Sequence, residues 1–303
     1  MSFSPQQVEQ SQELIEVRRP LSRARVVWRR LRSSKQFWIG GVVLTAIVLW
    51  AIFGPMLWPI SHTERDYFAL NQAPSLAHPF GTDTLGYDIF ARVMAGLRIS
   101  LIVGFVAGLL ATAIAAIVGS IAGYLGGWAD KVIAWFIDLL LVLPSFFILV
   151  LLWPFFRSAS WIVMTFFLAL FGWMIMGQVI RSQTRSLRER EFVKAARYMG
   201  FGSWSVVTRH IVPNVASLLI IDAALGVGAM ILAETSLSYF GFGVPAPDVS
   251  LGVLIADGNT AAATRPWLFA FPASVLVLLL LSLSLLGDAL RDAIDPTSGV
   301  NRG

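Results

Sequence analysis

Residues 191–214 read EFVKAARYMGFGSWSVVTRHIVPN, a polar segment between two hydrophobic runs. Its first half has apolar residues at helical spacing, which predicts one face of a short helix. These residues are Phe192, Ala195, Ala196 and Met199. Gly200 predicts the end of that helix, Ser203 the N-cap of a second helix, and Pro213 the end of the second one. Because the sequence offers this amphipathic hairpin nothing of its own to bury against, the pattern indicates a docking surface.

The composition is that of an integral membrane protein. Apolar residues make up 56% of the 303 residues, charged residues 14%, and the mean hydropathy is +0.72, whereas soluble domains carry about 25% charged residues. The net charge of +5 does not predict nucleic-acid binding, because basic residues accumulate on the cytoplasmic side of membrane proteins. The absence of cysteine excludes disulfides, thiolate metal sites and a cysteine nucleophile.

Six apolar runs predict an all-α membrane domain of six transmembrane helices with both termini in the cytoplasm. The predicted spans are residues 37–60, 99–123, 132–156, 161–180, 215–233 and 267–286. The first run is too long for the core of a signal peptide and no A-x-A-like site follows it, so we interpret it as a retained span. With this topology most of the 23 basic residues lie on the cytoplasmic side, as the positive-inside rule requires.

This topology divides the chain into three parts. Residues 1–36 form a basic cytoplasmic segment, residues 37–290 the transmembrane domain, and residues 291–303 a cytoplasmic tail. The hairpin, at about residues 188–213, falls in a cytoplasmic loop. The N-terminal segment carries eight basic residues and no acid from Arg18 to Lys35, which favours an N-terminus inside the cell.

Three local patterns predict how the spans are shaped. The second span carries small residues every four positions, which lets neighbouring helices approach closely in lipid. They include Gly104, Gly108, Thr112, Gly119 and Gly123. The amphipathic segment just before this span, residues 89–97, predicts a helix along the membrane surface. Pro144 predicts a kink in the third span.

Three carboxylates within or near the spans are candidates for the translocation pathway, because charged groups are costly in a bilayer. Asp222 lies nearest the middle of a span. It is either a proton-relay or pore-lining group, or a group that bonds a neighbouring helix. Asp138 and Glu234 lie nearer the span ends, where water or headgroups reach them, and structural pairing is favoured for both.

The sequence provides no catalytic or metal-binding set. It has no G-x-x-x-x-G-K-[ST] loop, so any ATP would be hydrolysed on another polypeptide. His62, His78 and His210 are far apart and form no metal pattern. No G-x-S-x-G turn is present for a nucleophilic serine. The chain is therefore expected to be a transport subunit, with no metal or cofactor of its own, and not an enzyme.

Four motifs in order resemble the permeases of ABC importers, in particular the C-type inner-membrane permeases of the peptide and nickel branch. They are KAA followed by Gly200 and Pro213 in residues 194–213, HPFGTD in residues 78–83, ETSLSYFGFG in residues 234–243, and LGDALRDAIDP in residues 286–296. Two positions depart from the family pattern. Lys194 stands where the family usually has glutamate, and Tyr87 where arginine is expected.

The resemblance implies a type I ABC importer in the bacterial cytoplasmic membrane. A second permease would complete the pathway for di- or oligopeptides, two ABC ATPases binding ATP and Mg²⁺ would lie below, and an extracytoplasmic binding protein above. Nickel remains an alternative substrate. The ATPase-coupling residues that the resemblance implies are Glu191, Lys194, Ala195, Ala196, Gly200 and Pro213. The alternative from another class is an ion-coupled secondary transporter that uses Asp222 and Glu234.

Overall fold

The computed structural model describes residues 23–156 and 160–294. Over these ranges the chain forms twelve α-helices and one π-helical turn, and no β-strand. The predicted N-terminal segment up to residue 22 and the predicted tail from residue 295 lie outside the described residues.

The helices follow one another with short connections, apart from two longer loops at residues 58–88 and 240–250. They are α1 (Arg23–Ser33), α2 (Lys35–Leu57), α3 (Ile89–Leu125), α4 (Gly127–Val142), α5 (Ser145–Phe156), α6 (Trp161–Gly172), α7 (Met174–Arg188), α8 (Glu191–Tyr198), α9 (Ser203–Val206), α10 (Val212–Tyr239), α11 (Leu251–Asn259) and α12 (Trp267–Ile294). The π turn, Val207–Ile211, joins α9 to α10.

Four helical stretches of the described chain are long and apolar enough to cross a membrane: α2, α3, α12 and the continuous run from α9 to α10. Two bent helix pairs raise the number to six if each pair is one span. The pair α4 and α5 bends by 79°, and the pair α6 and α7 by 41°. The chain is thus an all-helical membrane protein with four to six candidate spans.

Helix α3 lies at the centre of the bundle, as its small residues predict. It contributes to both large hydrophobic cores, one with α2, α10, α11 and α12 and the other with α4, α6, α7 and α10. A Cβ atom on Gly119 would lie 2.5 Å from the carbonyl oxygen of Gly177 in α7. One on Gly108 would lie 3.0 Å from the backbone nitrogen of Val227 in α10. The small residues therefore bring α3 against two neighbouring backbones.

The predicted surface helix before the second span is wrong. Residues 89–98 form the first turns of α3, and Ile89, Val93 and Leu97 are buried. Their apolar face packs against α2, α11 and α12 in the first hydrophobic core. An amphipathic pattern shows that one face is covered, but it cannot distinguish a covering protein from a membrane surface.

The predicted kink at Pro144 is a break between α4 and α5. The preceding residue, Leu143, has extended backbone angles, with φ −75° and ψ 129°, as expected because a proline disfavours the helical region for the residue before it. Two helices also end later in the sequence than predicted. Helix α7 continues to Arg188, and α12 continues to Ile294, past the expected boundary at residue 290.

Helix α1 packs on the far end of the chain. Leu31 is buried against Ala289 and Ala293 of α12, and partly buried Val27, Phe37 and Leu290 complete this small core. The basic residues of α1 with described side chains, including Arg25, Arg29 and Arg32, are exposed. The two ends of the described chain therefore lie together on the same side of the bundle.

Candidate functional site

The hairpin, residues 188–213, is built around a sharp turn at Gly200. Gly200 has a φ of +82°, which glycine adopts without the steric cost that a Cβ brings. The amide of Phe201 donates to the carbonyl of Ala196 at 3.2 Å, and the amide of Gly200 donates to that of Arg197 at 3.0 Å. This pair of bonds is the Schellman pattern at a helix C-terminus. The predicted helix end at Gly200 is therefore confirmed.

The inner face of the hairpin packs on the end of α3. Val193 and Ala196 of α8 are buried against Val206 and Ile211 and against Tyr124, the penultimate residue of α3. The expectation that the hairpin has nothing of its own to bury against is therefore wrong. The core beneath it includes Tyr124, which lies 64 positions before the start of the hairpin, and no local pattern connects the two.

The outer face of the hairpin leaves large apolar side chains in solvent. Met199 is 69% exposed and Trp204 61% exposed, and Phe192, Tyr198 and Phe201 are exposed as well. Of the four residues predicted to share a face, Phe192, Ala195 and Met199 lie on this outer face, while Ala196 lies on the inner one. A Cβ on Gly200 would meet no other atom within 4 Å. Clustered apolar exposure of this kind is typical of a surface that a protein partner or a membrane covers.

Lys194 forms an ion pair within its own chain. Its Nζ lies 3.3 Å from Oε2 of Glu189, and Nε of Arg188 lies 3.4 Å from Oε1 of the same carboxylate. Lys194 and then Arg188 hold the pKa of Glu189 below its ordinary value. All three side chains are substantially exposed, so the pairs contribute little to stability. They place a mixed-charge rim beside the apolar outer face.

The second arm of the hairpin differs from its predicted ends. The N-cap of α9 is Gly202, and Ser203 is its first helical residue. Pro213 does not end a helix, because the chain stays helical from α9 through α10. Proline has no N–H to donate, and the chain accommodates it in the first turn of α10 directly after the π turn. The hairpin and α10 are therefore one continuous helical element.

The three candidate carboxylates do not converge on one site. Asp222 of α10 accepts a hydrogen bond of 2.6 Å from the hydroxyl of Thr112 in α3. Asp138 of α4 accepts one of 2.6 Å from the amide group of Gln178 in α7. Each thus bonds a neighbouring helix, which is one of the roles expected from the sequence.

Glu234 is fully buried, so the expectation that water or headgroups reach it is wrong. Its two carboxyl oxygens accept hydrogen bonds from Ser100 at 3.1 Å and from Ser238 at 2.6 Å. Ser250 lies 3.2 Å from Ser238, and the backbone amide of Leu251 donates to Ser100 at 3.2 Å. This Glu234 cluster joins α3, α10 and the start of α11.

An ion pair that the sequence analysis missed joins α4 to α7. The Asp130 carboxylate accepts two hydrogen bonds from the Arg181 guanidinium, one of them from Nη2 at 2.9 Å. Asp130 is only 6% exposed, and Nη1 of Arg185 lies 4.0 Å from it. Arg188 at the end of α7 also donates to the carbonyl oxygen of Tyr124 at 3.3 Å. The last of these bonds ties α7 to Tyr124, which packs against the inner face of the hairpin.

A cavity of about 870 Å³ opens at the other end of α3. Tyr87 forms part of its wall, with the guanidinium groups of Arg65 and Arg92 each 4.8 Å from its ring centre. Arg92 also donates to Asp83 at 2.9 Å. The departure at Tyr87 thus places an aromatic ring close to two cations, where cation–π attraction holds them.

Within the described ranges, no group of three or more histidine or acidic residues is arranged to hold a metal ion. His78 instead pairs with Asp88 at 2.7 Å, and Asp88 also caps α3 by accepting from the amide of Ala91. Asp83 and Asp88 therefore have structural roles around the start of α3.

Two family models match the sequence. The model described as "Binding-protein-dependent transport system inner membrane component" matches residues 115–299. The model described as "N-terminal TM domain of oligopeptide transport permease C" matches residues 22–74. Together they extend over most of the chain, and the first includes the whole hairpin.

Curated relatives are similar over nearly their full lengths. The oligopeptide transport system permease protein OppC of Mycobacterium tuberculosis (strain ATCC 25618 / H37Rv) is 48% identical over 278 residues, which are 91% of this chain and 96% of that protein. The protein of the same name from Escherichia coli (strain K12) is 40% identical over 270 residues, 88% of this chain and 89% of that protein.

Proposed function

Because this chain belongs to the family of binding-protein-dependent transport system inner membrane components, we propose that it forms an oligopeptide pathway with a second permease and couples it to two cytoplasmic ABC ATPases. The chain is an inner-membrane permease subunit of an ABC importer and not an enzyme. Its relatives carry the name of oligopeptide permeases, which supports a peptide substrate. An extracytoplasmic binding protein would deliver the peptide.

The observation that carries the coupling role is the outer face of the hairpin. Apolar side chains such as Met199 and Trp204 project from a short, rigid element whose other face is packed on the bundle. A partner that covers this face would remove apolar surface from water, and each such side chain contributes about 1.5–3 kcal/mol when it is fully buried. The cytoplasmic ATPases are the partners that the permease family supplies for such a surface.

The coupling residues fall into two groups. Glu191, Lys194, Ala195 and Gly200 are exposed on or beside the outer face, where they would contact an ATPase directly. Ala196 is buried on the inner face of α8, and Pro213 lies in the first turn of α10. We assign these last two to holding the hairpin on the bundle.

Two rigid connections would carry a movement of the hairpin to the pathway. The π turn makes the hairpin continuous with α10, and the buried contact with Tyr124 joins it to α3. The Asp130–Arg181 ion pair braces α7 and α4 beside them. Closure of the ATPases would therefore move α3 and α10, the helices that carry Thr112 and Asp222. Such a shift requires that the docked state bind one arrangement of the helices more tightly than the other.

The topology that fits this role has six spans and both termini in the cytoplasm. Each bent pair, α4 with α5 and α6 with α7, then counts as one span. This arrangement would place the hairpin on the cytoplasmic side and the cavity beside Tyr87 on the outer side. Relatives that are ABC permease subunits favour this mechanism over the ion-coupled alternative.

Co-purification tests the proposal. The tagged chain, solubilised gently from native membranes, should recover P-loop ATPases, a second permease and a binding protein, each identified by mass spectrometry. The recovered complex, reconstituted in liposomes, should take up peptide only when ATP is supplied. A chain that purifies alone and carries solute without ATP would refute the proposal.

A further inference from the structure

Two carboxylates line the outer cavity, and they differ in their hydrogen-bond partners. Both oxygens of the Asp83 carboxylate already accept hydrogen bonds. One comes from Arg92 at 2.9 Å and two come from the backbone amides of Leu85 and Tyr87, each at 2.9 Å. Asp257, on α11, also lines the cavity and is exposed to solvent there. Among the described residues, its carboxylate has no hydrogen-bond donor and no ion-pair partner. One acid in the cavity is therefore available to a ligand.

The surroundings of Asp257 favour a cationic ligand. Partial desolvation in the cavity raises the pKa of the Asp257 carboxyl, Arg92 partly offsets this effect, and Asp83 adds to it. A cation that binds beside the carboxylate would relieve this cost, because a charge-assisted hydrogen bond stabilises the ionised form. A metal ion fits poorly, since no set of three ligands exists in the described chain.

The remaining wall suits a peptide. Trp153 and Tyr239 offer aromatic surface for side chains, and Gly241, where an added Cβ would meet no atom within 4 Å, leaves room for an extended backbone. A volume of about 870 Å³ lies within the range of ligand pockets, about 300–1,000 Å³. The cavity thus combines a mixed polar and apolar wall with one carboxylate that has no partner in the described chain.

We infer that Asp257 binds an ammonium group of the transported peptide as it enters the outer cavity. This inference rests on the proposed peptide substrate. The ammonium group belongs either to the peptide N-terminus or to a lysine side chain, since both present the same three N–H donors. The site selects for charge within the permease itself.

The experiment measures ATP-driven uptake by the complete importer in proteoliposomes at saturating binding protein. Ala-Ala-Ala has an ammonium group only at its N-terminus, and Ala-Lys-Ala has a second one. We expect Asp257→Asn to lower uptake of at least one of these peptides about tenfold, the effect of one lost charge-assisted hydrogen bond. Asp257→Glu, which keeps the charge, should restore uptake to within about twofold.

Controls separate loss of the site from loss of the fold. Asp248→Asn makes the same charge change in the loop before α11, outside the cavity wall, and should leave uptake unchanged. Asp257→Ser provides a second neutral variant if the asparagine variant does not assemble. All variants are compared at equal recovery of the intact complex.

Each outcome decides a separate point. A loss for both peptides assigns the site to the N-terminal ammonium, and a loss for Ala-Lys-Ala alone assigns it to the lysine side chain. Equal uptake by wild type and both neutral variants overturns the inference while leaving the importer in place. If the wild-type complex moves neither peptide with ATP, the proposed peptide transport itself fails.

Discussion

At the hairpin, apolar side chains lie in solvent, whereas at the Glu234 cluster a carboxyl group lies in the protein core. The two regions depart from ordinary burial in opposite directions. Glu234 finds its hydrogen bonds inside the chain, from Ser100 and Ser238. The outer face of the hairpin finds no cover within the described chain.

This difference indicates where partners bind. A buried polar group that is fully hydrogen-bonded is a structural element of the chain, because its requirements are already met. An exposed apolar face on a rigid element lacks a contact that only another molecule provides. This contrast supports the proposal that the hairpin belongs to an interface and that the Glu234 cluster holds together the helices which the interface would move.

The largest effect is expected at Gly200. Gly200→Asp should reduce ATP-driven uptake to background while the chain remains in the membrane. The aspartate side chain would be strained at a φ of +82° by about 1–2 kcal/mol and would project into the space that the ATPase is proposed to fill. Uptake in proteoliposomes and chain recovery in membranes are the two measurements.

Gly127 provides the matched control for that substitution. It also has a positive φ, +59°, and an ideal Cβ there would likewise meet no atom within 4 Å. Gly127→Asp adds the same strain and charge at the α3–α4 turn, outside the hairpin, and should retain most uptake. Normal uptake by Gly200→Asp would remove the basis for the coupling assignment.

A substitution in the Glu234 cluster should lower the stability of the protein. Glu234→Leu leaves the buried hydroxyls of Ser100 and Ser238 without their acceptor, at about 1–3 kcal/mol for each group. The purified complex should then unfold at a lower temperature in detergent. Glu234→Gln keeps an acceptor and should lose less. An unchanged unfolding temperature for the leucine variant would show that the cluster is not a structural centre.

Substitutions at two adjacent residues allow the most direct comparison of the two faces of the hairpin. Phe192 lies on the outer face and Val193 is buried on the inner face. Phe192→Ser should weaken ATPase binding roughly tenfold, about 1.4 kcal/mol, with little effect on the stability of the chain. Val193→Ser should lower the stability of the chain in detergent. If both variants affect only stability, the outer face is not an interface.

The sequence contains the local features of the site but not its long-range contacts. The helix end at Gly200 and the close-packed surface of α3 follow from residue type and spacing within one helix. The burial of Glu234 and the Asp130–Arg181 ion pair depend on residues 50 or more positions away. Such contacts arise from tertiary packing, which no local period encodes.

Pro213 shows a different reason for a wrong prediction. A proline usually marks the end of a helix, yet here it lies at the start of α10 behind a π turn. The turn adjusts the backbone where the proline donates no hydrogen bond, so the helical axis continues. The rule that proline marks a helix end thus failed at the point where one continuous helix links the hairpin to α10.

The central claim is that the outer face of the hairpin docks on cytoplasmic ATPases, and thiol labelling tests it most directly. The chain has no cysteine, so Met199→Cys creates a single, exposed thiol. We predict that a membrane-impermeant maleimide labels it in inside-out vesicles stripped of ATPases, and that added ATPases block the reaction. Labelling in right-side-out vesicles, or labelling that the ATPases do not change, would contradict the account.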